Sequence, residues 1–128
     1  VLCDIDNFKS LNDRFGHPFG DEVLERVSAI LGEGRSSDVA CRYGGEEFGL
    51  ILPQTTLKDA IETAERHREH IAALQWPDRP GLRISASFGV ADIHMLSPEA
   101  GAEDLVQFAD TALYAAKAAG RNSVQTAA

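Results

Sequence analysis

The chain has 128 residues, of which 44% are hydrophobic, so it can bury the core of one domain and is too short for two comfortable ones. Its formal net charge of −8 argues against a nucleic acid polymer as partner, because phosphate backbones are held by clustered Lys and Arg. No apolar run approaches the roughly 18 residues that cross a membrane. The sequence therefore predicts a single domain in the cytoplasm, without direct membrane contact of its own.

In the first half of the chain, apolar patterns predict three strands and one clear helix. Residues 1–6 form a strand that runs out into acidic side chains. Residues 7–20, interrupted by glycines and a proline, are predicted as irregular turns around one short helical piece. A helix follows over residues 21–31 and ends at a glycine. Residues 39–43 and 48–52 are predicted as the two strands of a hairpin.

The second half is predicted to contribute two helices and two strands. A helix starts at the cap Thr56 and runs to Ile71. Residues 83–90 alternate between apolar and polar side chains, which predicts a strand with one buried face. A further helix covers residues 105–116, and residues 122–126 are predicted as a short edge strand.

The order of these elements predicts an α/β sandwich, with a largely antiparallel sheet that carries helices on its faces. The first strand begins without a leading turn or cap, so residues are expected to be missing upstream. An upstream sensor or membrane domain could be attached there.

Cysteines and histidines are predicted to have bland roles. Cys3 and Cys41 each lie in an apolar run, which predicts buried thiols in a reducing compartment. His67 and His70 are three apart on a predicted helix, but without a third ligand they are predicted to lie on a solvated face. His17 is predicted to be a structural hydrogen-bonding group.

The stretch "RYGGEEFGLIL" places two glycines and two glutamates between the hairpin strands. Gly44 and Gly45 are predicted to make the bend, because glycine reaches positive φ without steric cost. A solvated acidic loop would explain Glu46 and Glu47 unless the fold gives these carboxylates a partner.

That partner is predicted to be the end of the first strand. Asp4 and Asp6 are two apart and leave the same face of an extended chain, and only one of Glu46 and Glu47 is expected to face Asp4. Crowded carboxylates repel unless a cation neutralises them. Oxygen ligands select Mg²⁺ or Mn²⁺, so the pattern predicts a divalent metal site that also binds phosphates.

Basic residues lie in the segments next to this predicted site. Lys9 follows Asp6, and Lys117 and Arg121 are four apart and are predicted to share one face at the end of the last helix. Taken alone, the latter pair is better explained as complementing the helix dipole. Against this, the chain has only three lysines, and two of them lie next to the predicted metal site.

Four blocks of the sequence, in order, resemble the GGDEF family, the diguanylate cyclases. They are "DIDNFKSLNDRFGHPFGDEVL", "RYGGEEF", "ISASFGVA" and "ADTALYAAKAAGRN". The resemblance covers almost the whole chain and implies a GGDEF domain over residues 1–128, with a mixed, nucleotide-cyclase-like sheet. It also implies condensation of two GTP molecules into cyclic di-GMP and two pyrophosphates, across a transient homodimer in which each domain holds one GTP.

The resemblance also implies a role for each matching residue. Mg²⁺ or Mn²⁺ would be bound by Asp4, the carbonyl of Ile5 and Glu46. Glu46 is the expected proton acceptor, with Glu47 as a less certain catalytic participant, and Asp6 loses its claim as a ligand. The remaining substrate-binding residues implied are Asn7, Phe8, Lys9, Lys117 and Arg121 on the phosphates, Gly44 and Gly45 beside the nucleotide, and Asn12 and Asp21 on the guanine.

Several of these residues also fit plainer structural roles. Asn12 could form an Asx turn and Asp21 could be a helix N-cap. "RSSD" matches the family's inhibitory site, which implies product binding at Arg35 and Asp38, with Arg66 as a further contact; as loop charges these residues would be unremarkable.

One departure from the family concerns the start of the chain. The family normally begins with a helix and a "D-x-L-T-x-L-x-N-R" segment, which this sequence lacks, so the fragment's activity is an open question. The main alternative function is an inactive module that binds GTP or cyclic di-GMP. A related cyclase with a mononucleotide product would fit the metal site but not the guanine-reading and RxxD residues.

Overall fold

A computed structural model describes residues 1–126 as a single sheet with helices on both faces. The strands are β1 (Leu2–Ile5), β2 (Val39–Arg42), β3 (Glu47–Ile51), β4 (Ala86–Val90) and β5 (Val124–Thr126). The helices are α1 (Phe8–Phe15), α2 (His17–Leu31), α3 (Leu57–Ala72) and α4 (Ala102–Ala118), and a single 3₁₀ turn covers Ile93–Met95. Among these helices, none has both the length and the apolar composition needed to cross a bilayer.

The strand order is β2-β3-β1-β4-β5, and every neighbouring pair is antiparallel except β4 and β5, which are parallel. This confirms the predicted mixed, largely antiparallel sheet, including the short last strand. β1 lies at the centre of the sheet, and its four residues are all buried. The residues that follow β1 therefore lie at the centre of the sheet, at the end where β1 stops.

β4 is buried on both faces, so the prediction of a single buried face is wrong. Phe88 belongs to the large core shared with α2 and α3, whereas Gly89 lies under α4. A Cβ on Gly89 would collide with the backbone of Ala109 and Leu113, so only glycine allows α4 to approach this closely. α4 is thereby fixed directly over β4 and β1.

Residues 7–20 contain the predicted short helical piece, which is α1, but the turns expected after it are the first four residues of α2, separated from α1 by Gly16 at φ 90°. The helix predicted from residue 21 therefore begins four residues earlier, at His17. Pro18 is compatible with this start, because a proline in the first helical turn gives up an N–H that has no partner there.

Two further predictions are wrong. Cys41 is exposed, because β2 is the outermost strand and all four of its residues are exposed; Cys3 is buried as predicted. His67 is buried, because it falls on the inward face of α3 with Ala64 and Ile71, whereas His70 is exposed.

Candidate active site

The site is built around Asp4 in the central strand. Its side chain is buried, and its Oδ2 lies 2.7 Å from Nζ of Lys117, in the last turn of α4. Its Oδ1 is buried and has no hydrogen-bond partner among residues 1–126. Burial raises the pKa of Asp4, although Lys117 acts in the opposite direction. An acceptor oxygen that is buried without a partner costs free energy, so this carboxylate lowers the stability of the free chain.

The hairpin brings both glutamates to Asp4. Glu47 lies directly opposite Asp4 in the β1–β3 ladder, and the carbonyl of Glu46 accepts a 3.2 Å hydrogen bond from the Ile5 amide. Burial raises the pKa of Glu47, and the charges of Asp4, Asp110 and Glu46 raise it further. The charge of Glu46 also raises the pKa of Asp4. Both glutamates thus contribute to one electronegative cluster, with Glu47 the one paired to Asp4 in the sheet.

The turn that carries Glu46 is held by its backbone and by Arg42. The amides of Tyr43 and Gly44 both donate to the carbonyl of Glu47, at 2.8 and 3.1 Å. The Arg42 guanidinium donates to the carbonyls of Gly44 and Gly45 at distances of 2.7 to 3.2 Å. Neither glycine has a positive φ, contrary to the prediction, because the bend is spread over the four residues between β2 and β3.

The first turn of α1 provides free backbone donors next to Asp4. Asn7 is the N-cap in the left-handed conformation, with φ 55°, and its side chain makes no capping bond. The first amides of a helix have no partner inside the helix, so those of Phe8 and Lys9 are available to an anion. Lys9 is exposed, and Phe8 is half-buried against the core.

Asn12 and Asp21 lie on the two helices that follow, α1 and α2. Asn12 Oδ1 is buried, has no hydrogen-bond partner in the described part of the chain, and points at Gly20, where a Cβ would collide with it. Asp21 is exposed and lies inside α2, so the alternative role of Asp21 as a helix N-cap is wrong. The close approach at Gly20 places Asn12 beside the start of α2, near Asp21.

Arg121 lies beyond the end of α4, so the prediction that it shares a helix face with Lys117 is wrong. The helix ends at Ala118, and Arg121 is exposed at φ 66°. Lys117 is in the last turn, but its ion pair with Asp4 gives it a partner more specific than the helix dipole.

Both carboxylate oxygens of Asp6 are already hydrogen-bonded within the fold. Its carboxylate accepts hydrogen bonds from the hydroxyls of Ser87 (2.6 Å) and Ser85 (2.7 Å) and from the amide of Asn122 (3.0 Å). The side chain of Asp6 is 4% exposed. It therefore serves the fold, in line with the family resemblance, which favours Asp4 over Asp6 as the ligand.

The candidate inhibitory residues lie away from this cluster. Arg35 and Asp38 form an ion pair of 3.0 Å in the loop between α2 and β2, and Arg35 also donates to the carbonyl of Pro53 and to the Thr55 hydroxyl. Pro53 follows the end of β3 opposite to Glu47. Arg66 is exposed on α3, next to the buried His67, which lines a small cavity with Arg35 and Asp38.

Sequence reasoning missed Arg42, Asp110 and the serines that bind Asp6. Asp110 is seven residues before Lys117, a spacing that puts both on one side of a helix, so this signal was present. Arg42 directly precedes the glycines, but nothing local shows that it braces them. His17 is exposed, and no bond of its side chain is seen within residues 1–126 that would test its predicted structural role.

A comparison with known proteins identifies the family. Residues 1–123 match the family described as "Diguanylate cyclase, GGDEF domain". The chain belongs to the GGDEF family. It is similar over 98% of its length to the GGDEF domain of DgcB from Caulobacter crescentus, solved in complex with c-di-GMP, with 33% identity, a TM-score of 0.87 and 75% of that chain covered.

Two curated relatives are more similar in sequence. The response regulator PleD of Caulobacter vibrioides is 44% identical over 97% of this GGDEF chain, and the diguanylate cyclase DosC of Escherichia coli is 40% identical over 98%. The chain spans only 28% of the length of PleD and 27% of that of DosC. These relatives support diguanylate cyclase and signal transduction as the functional class of the family.

Proposed function

We propose that this GGDEF domain condenses two GTP molecules into cyclic di-GMP and two pyrophosphates. The observation that carries the proposal is the Asp4 cluster: a buried carboxylate with one unpartnered oxygen, two glutamates beside it and a lysine at 2.7 Å. A buried ion pair stabilises a fold only when its remaining oxygen is also hydrogen-bonded, and further carboxylates nearby work against it. A site for a cation and a polyphosphate needs a free carboxylate oxygen for the cation and further carboxylates beside it.

A divalent cation fits these donors. Among residues 1–126, no three His, Cys, Asp or Glu side chains converge tightly enough to hold a metal alone. Mg²⁺ does not require such a cage, because it is usually bound by one or two carboxylates together with substrate phosphates and water. Asp4 Oδ1, Glu46 and the Ile5 carbonyl would hold Mg²⁺ or Mn²⁺. When bound, the ion would neutralise phosphate charge and make an oxygen nucleophile more acidic.

The triphosphate is assigned to the first turn of α1 and to the end of α4. The amides of Asn7 and Phe8 and the ammonium of Lys9 would bind the β- and γ-phosphates, because a helix N-terminus favours anions. Lys117 and Arg121 would bind the same groups from the other side. Lys117 then has two partners, Asp4 in the free chain and a phosphate in the complex.

The guanine is assigned to Asn12 and Asp21. A carboxylate at Asp21 would accept from the N1–H and the 2-amino group, which adenine does not offer in that arrangement. The unpartnered Asn12 Oδ1 supports this assignment, because a buried acceptor without a partner is rare unless a ligand uses it. Gly44 and Gly45 leave room beside the nucleotide, since nothing lies within 4 Å of a Cβ built on Gly45.

In the proposed reaction, two domains face each other with one GTP each. The 3′-hydroxyl oxygen of one GTP bonds to the α-phosphorus of the other, and the bond from that phosphorus to the pyrophosphate oxygen breaks. Glu46 is the proposed acceptor of the hydroxyl proton. Glu47 is the second candidate, because its raised pKa favours taking up a proton.

We also propose product inhibition at Arg35 and Asp38, with Arg66 nearby. Arginine binds guanine edges and phosphates through paired hydrogen bonds, and this loop lies at the far end of β3 from Glu47. Cyclic di-GMP bound there would act on the site from a distance.

Incubation with GTP and Mg²⁺, followed by chromatography of the nucleotides, tests the proposal. Cyclic di-GMP should accumulate together with pyrophosphate. Binding of GTP or cyclic di-GMP without turnover would instead indicate an inactive module, and a cyclic mononucleotide would indicate the related cyclase reaction.

A further inference from the structure

The turn after α4 has an unusual backbone. Gly120, Arg121 and Asn122 follow one another at φ 113°, 66° and 45°. Glycine and asparagine tolerate positive φ, but arginine does so rarely, and such a conformation persists only where the surroundings impose it. The Arg121 amide donates to the carbonyl of Ala116 at 3.0 Å, so the end of α4 holds one side of the turn, and the other side must be held by other elements.

The central anchor of the turn is Asp6. The amide of Asn122 donates to Asp6 Oδ2 at 3.0 Å, and Ser85 and Ser87 fix the carboxylate by donating to Oδ2 and Oδ1 at 2.7 and 2.6 Å. Hydrogen bonds to a charged acceptor are about twice as strong as neutral ones. Asp6 thus joins the end of β1, the start of β4 and the turn that carries Arg121.

Neighbouring bonds fix the rest of the turn. Asn122 Oδ1 accepts a 3.0 Å hydrogen bond from Arg68 on α3, whose guanidinium is itself 2.9 Å from Glu65. The carbonyl of Ser123 accepts a 2.9 Å bond from the Phe88 amide. The residues on the C-terminal side of Arg121 are therefore held at both backbone and side chain.

We infer that Asp6 is a positioning residue, which holds the strained turn so that the Arg121 guanidinium reaches the terminal phosphates of bound GTP. Asp6 directly precedes Asn7, the N-cap of the helix proposed to bind the same phosphates. One carboxylate therefore sets the distance between the two groups that would hold the triphosphate. This inference rests on the proposed function, because it assumes GTP at the Asp4 cluster.

The test compares GTP with GMP, because GMP lacks the phosphates that Arg121 would bind. Isothermal titration calorimetry with a GTP analogue that cannot be cleaved at the α–β bridge should show about tenfold weaker binding to Asp6→Asn than to the parent. GMP affinity should be unchanged. Asp92→Asn is the matched control, because Asp92 also accepts a backbone amide, that of His94, beyond the far end of β4.

A double-mutant cycle with Arg121→Ala separates positioning from a general loss of structure. If Asp6 acts through Arg121, Asp6→Asn should add no more than about twofold to the loss caused by Arg121→Ala alone. Asn122→Gly is the second variant, because glycine tolerates the positive φ and keeps the amide that donates to Asp6, while it removes the side-chain bond to Arg68 and loosens the backbone of the turn. It should also weaken the GTP analogue and spare GMP.

Two results would overturn the inference: parent-like affinity for the analogue in Asp6→Asn, or an equal loss for GMP and the analogue. Failure of the parent to bind the analogue would count against the proposed function instead. Circular dichroism of each variant at the titration temperature establishes that the compared chains are folded.

Discussion

Replacing Gly20 with alanine would have two opposite effects: a higher helix propensity in α2 and a collision between the new Cβ and Asn12. A Cβ on Gly20 would lie 2.9 Å from Asn12 Cγ, closer still to its Oδ1, and 3.3 Å from Phe8 Cζ. Nonbonded carbons are in optimal contact at about 3.5–4.0 Å, so Asn12 must retreat by at least about half an ångström at Cγ. The shift is larger at Oδ1, the atom proposed to contact guanine.

Stability should change little, because two terms oppose each other. Alanine is favoured over glycine by about 1 kcal/mol in a helix interior, and Gly20 lies inside α2. Inserting a methyl group into a filled site costs about 1–3 kcal/mol. We expect the free energy of unfolding, measured with urea, to fall by about 1 kcal/mol. In the Asn12→Ala background the main obstacle is gone, so Gly20→Ala should instead stabilise by up to about 1 kcal/mol.

Function should change more than stability. Misplacing a recognition group by about 1 Å can cost up to a hundredfold, so we expect the ratio of kcat/KM for GTP over ATP to fall about tenfold in Gly20→Ala. Steady-state assays with both nucleotides measure this ratio, and Gly101→Ala, which meets no atom within 4 Å, is the control. A Gly20→Ala variant that is more stable than the parent and keeps its selectivity would refute the reasoning.

The remaining predictions concern the metal site, the inhibitory loop, assembly and pH. Asp4→Asn or Glu46→Gln should lower the rate of cyclic di-GMP formation at least about a hundredfold; retained turnover in either would contradict the metal assignment. Arg35→Ala should relieve inhibition by added cyclic di-GMP and spare the initial rate, and undiminished inhibition would place the product elsewhere. Because the product contains two nucleotides and each domain would hold one, the initial rate should rise roughly with the square of protein concentration well below the dimer dissociation constant; constant specific activity on dilution would argue for another mechanism. Burial, aided by Arg66 and His70, lowers the pKa of His67 below its unfolded value of 6.5, while Glu33 and Asp38 oppose this shift. The unfolded chain therefore binds more protons, and stability should fall as pH drops through that value. His67→Leu should lessen the difference between urea midpoints at pH 5 and pH 7.5, and an equal difference in both proteins would exclude this role.

Local patterns sufficed for the elements whose environment is set by their own periodicity. The predicted helix cap at Thr56 is confirmed, since its side chain accepts from the Asp59 amide, and the hairpin and the last strand lie where they were predicted. The start of α2 was missed because glycine at position 20 is typical of a turn. Glycine is needed at this position because the Asn12 side chain of α1 approaches the backbone of α2 there, a tertiary contact that no local pattern shows.

The remaining errors come from strand order, which no local pattern contains. Cys41 is exposed because β2 is an edge strand, and Ser87 is buried because β4 has helices on both faces. Ser87 and its partner Asp6 are 81 residues apart in sequence. The ligand role that the resemblance implies for Asp4 stays a prediction. The resemblance gave no role to Asp6, and the hydrogen bond from the Asn122 amide now supplies a structural one.

The charge balance at the centre of the sheet connects stability with the proposed function. The charges of Asp4, Asp110 and Glu46 raise the pKa of the buried Glu47 further, and within residues 1–126 Lys117 is the cation seen paired with Asp4. Such a cluster lowers the stability of the free chain, because uncompensated carboxylates repel in a partly desolvated place. A ligand that binds the folded chain alone would return that stability by mass action. GTP alone would add negative charge to the cluster, so the stabilising ligand should be GTP together with Mg²⁺, and neither component by itself should raise the melting temperature as much.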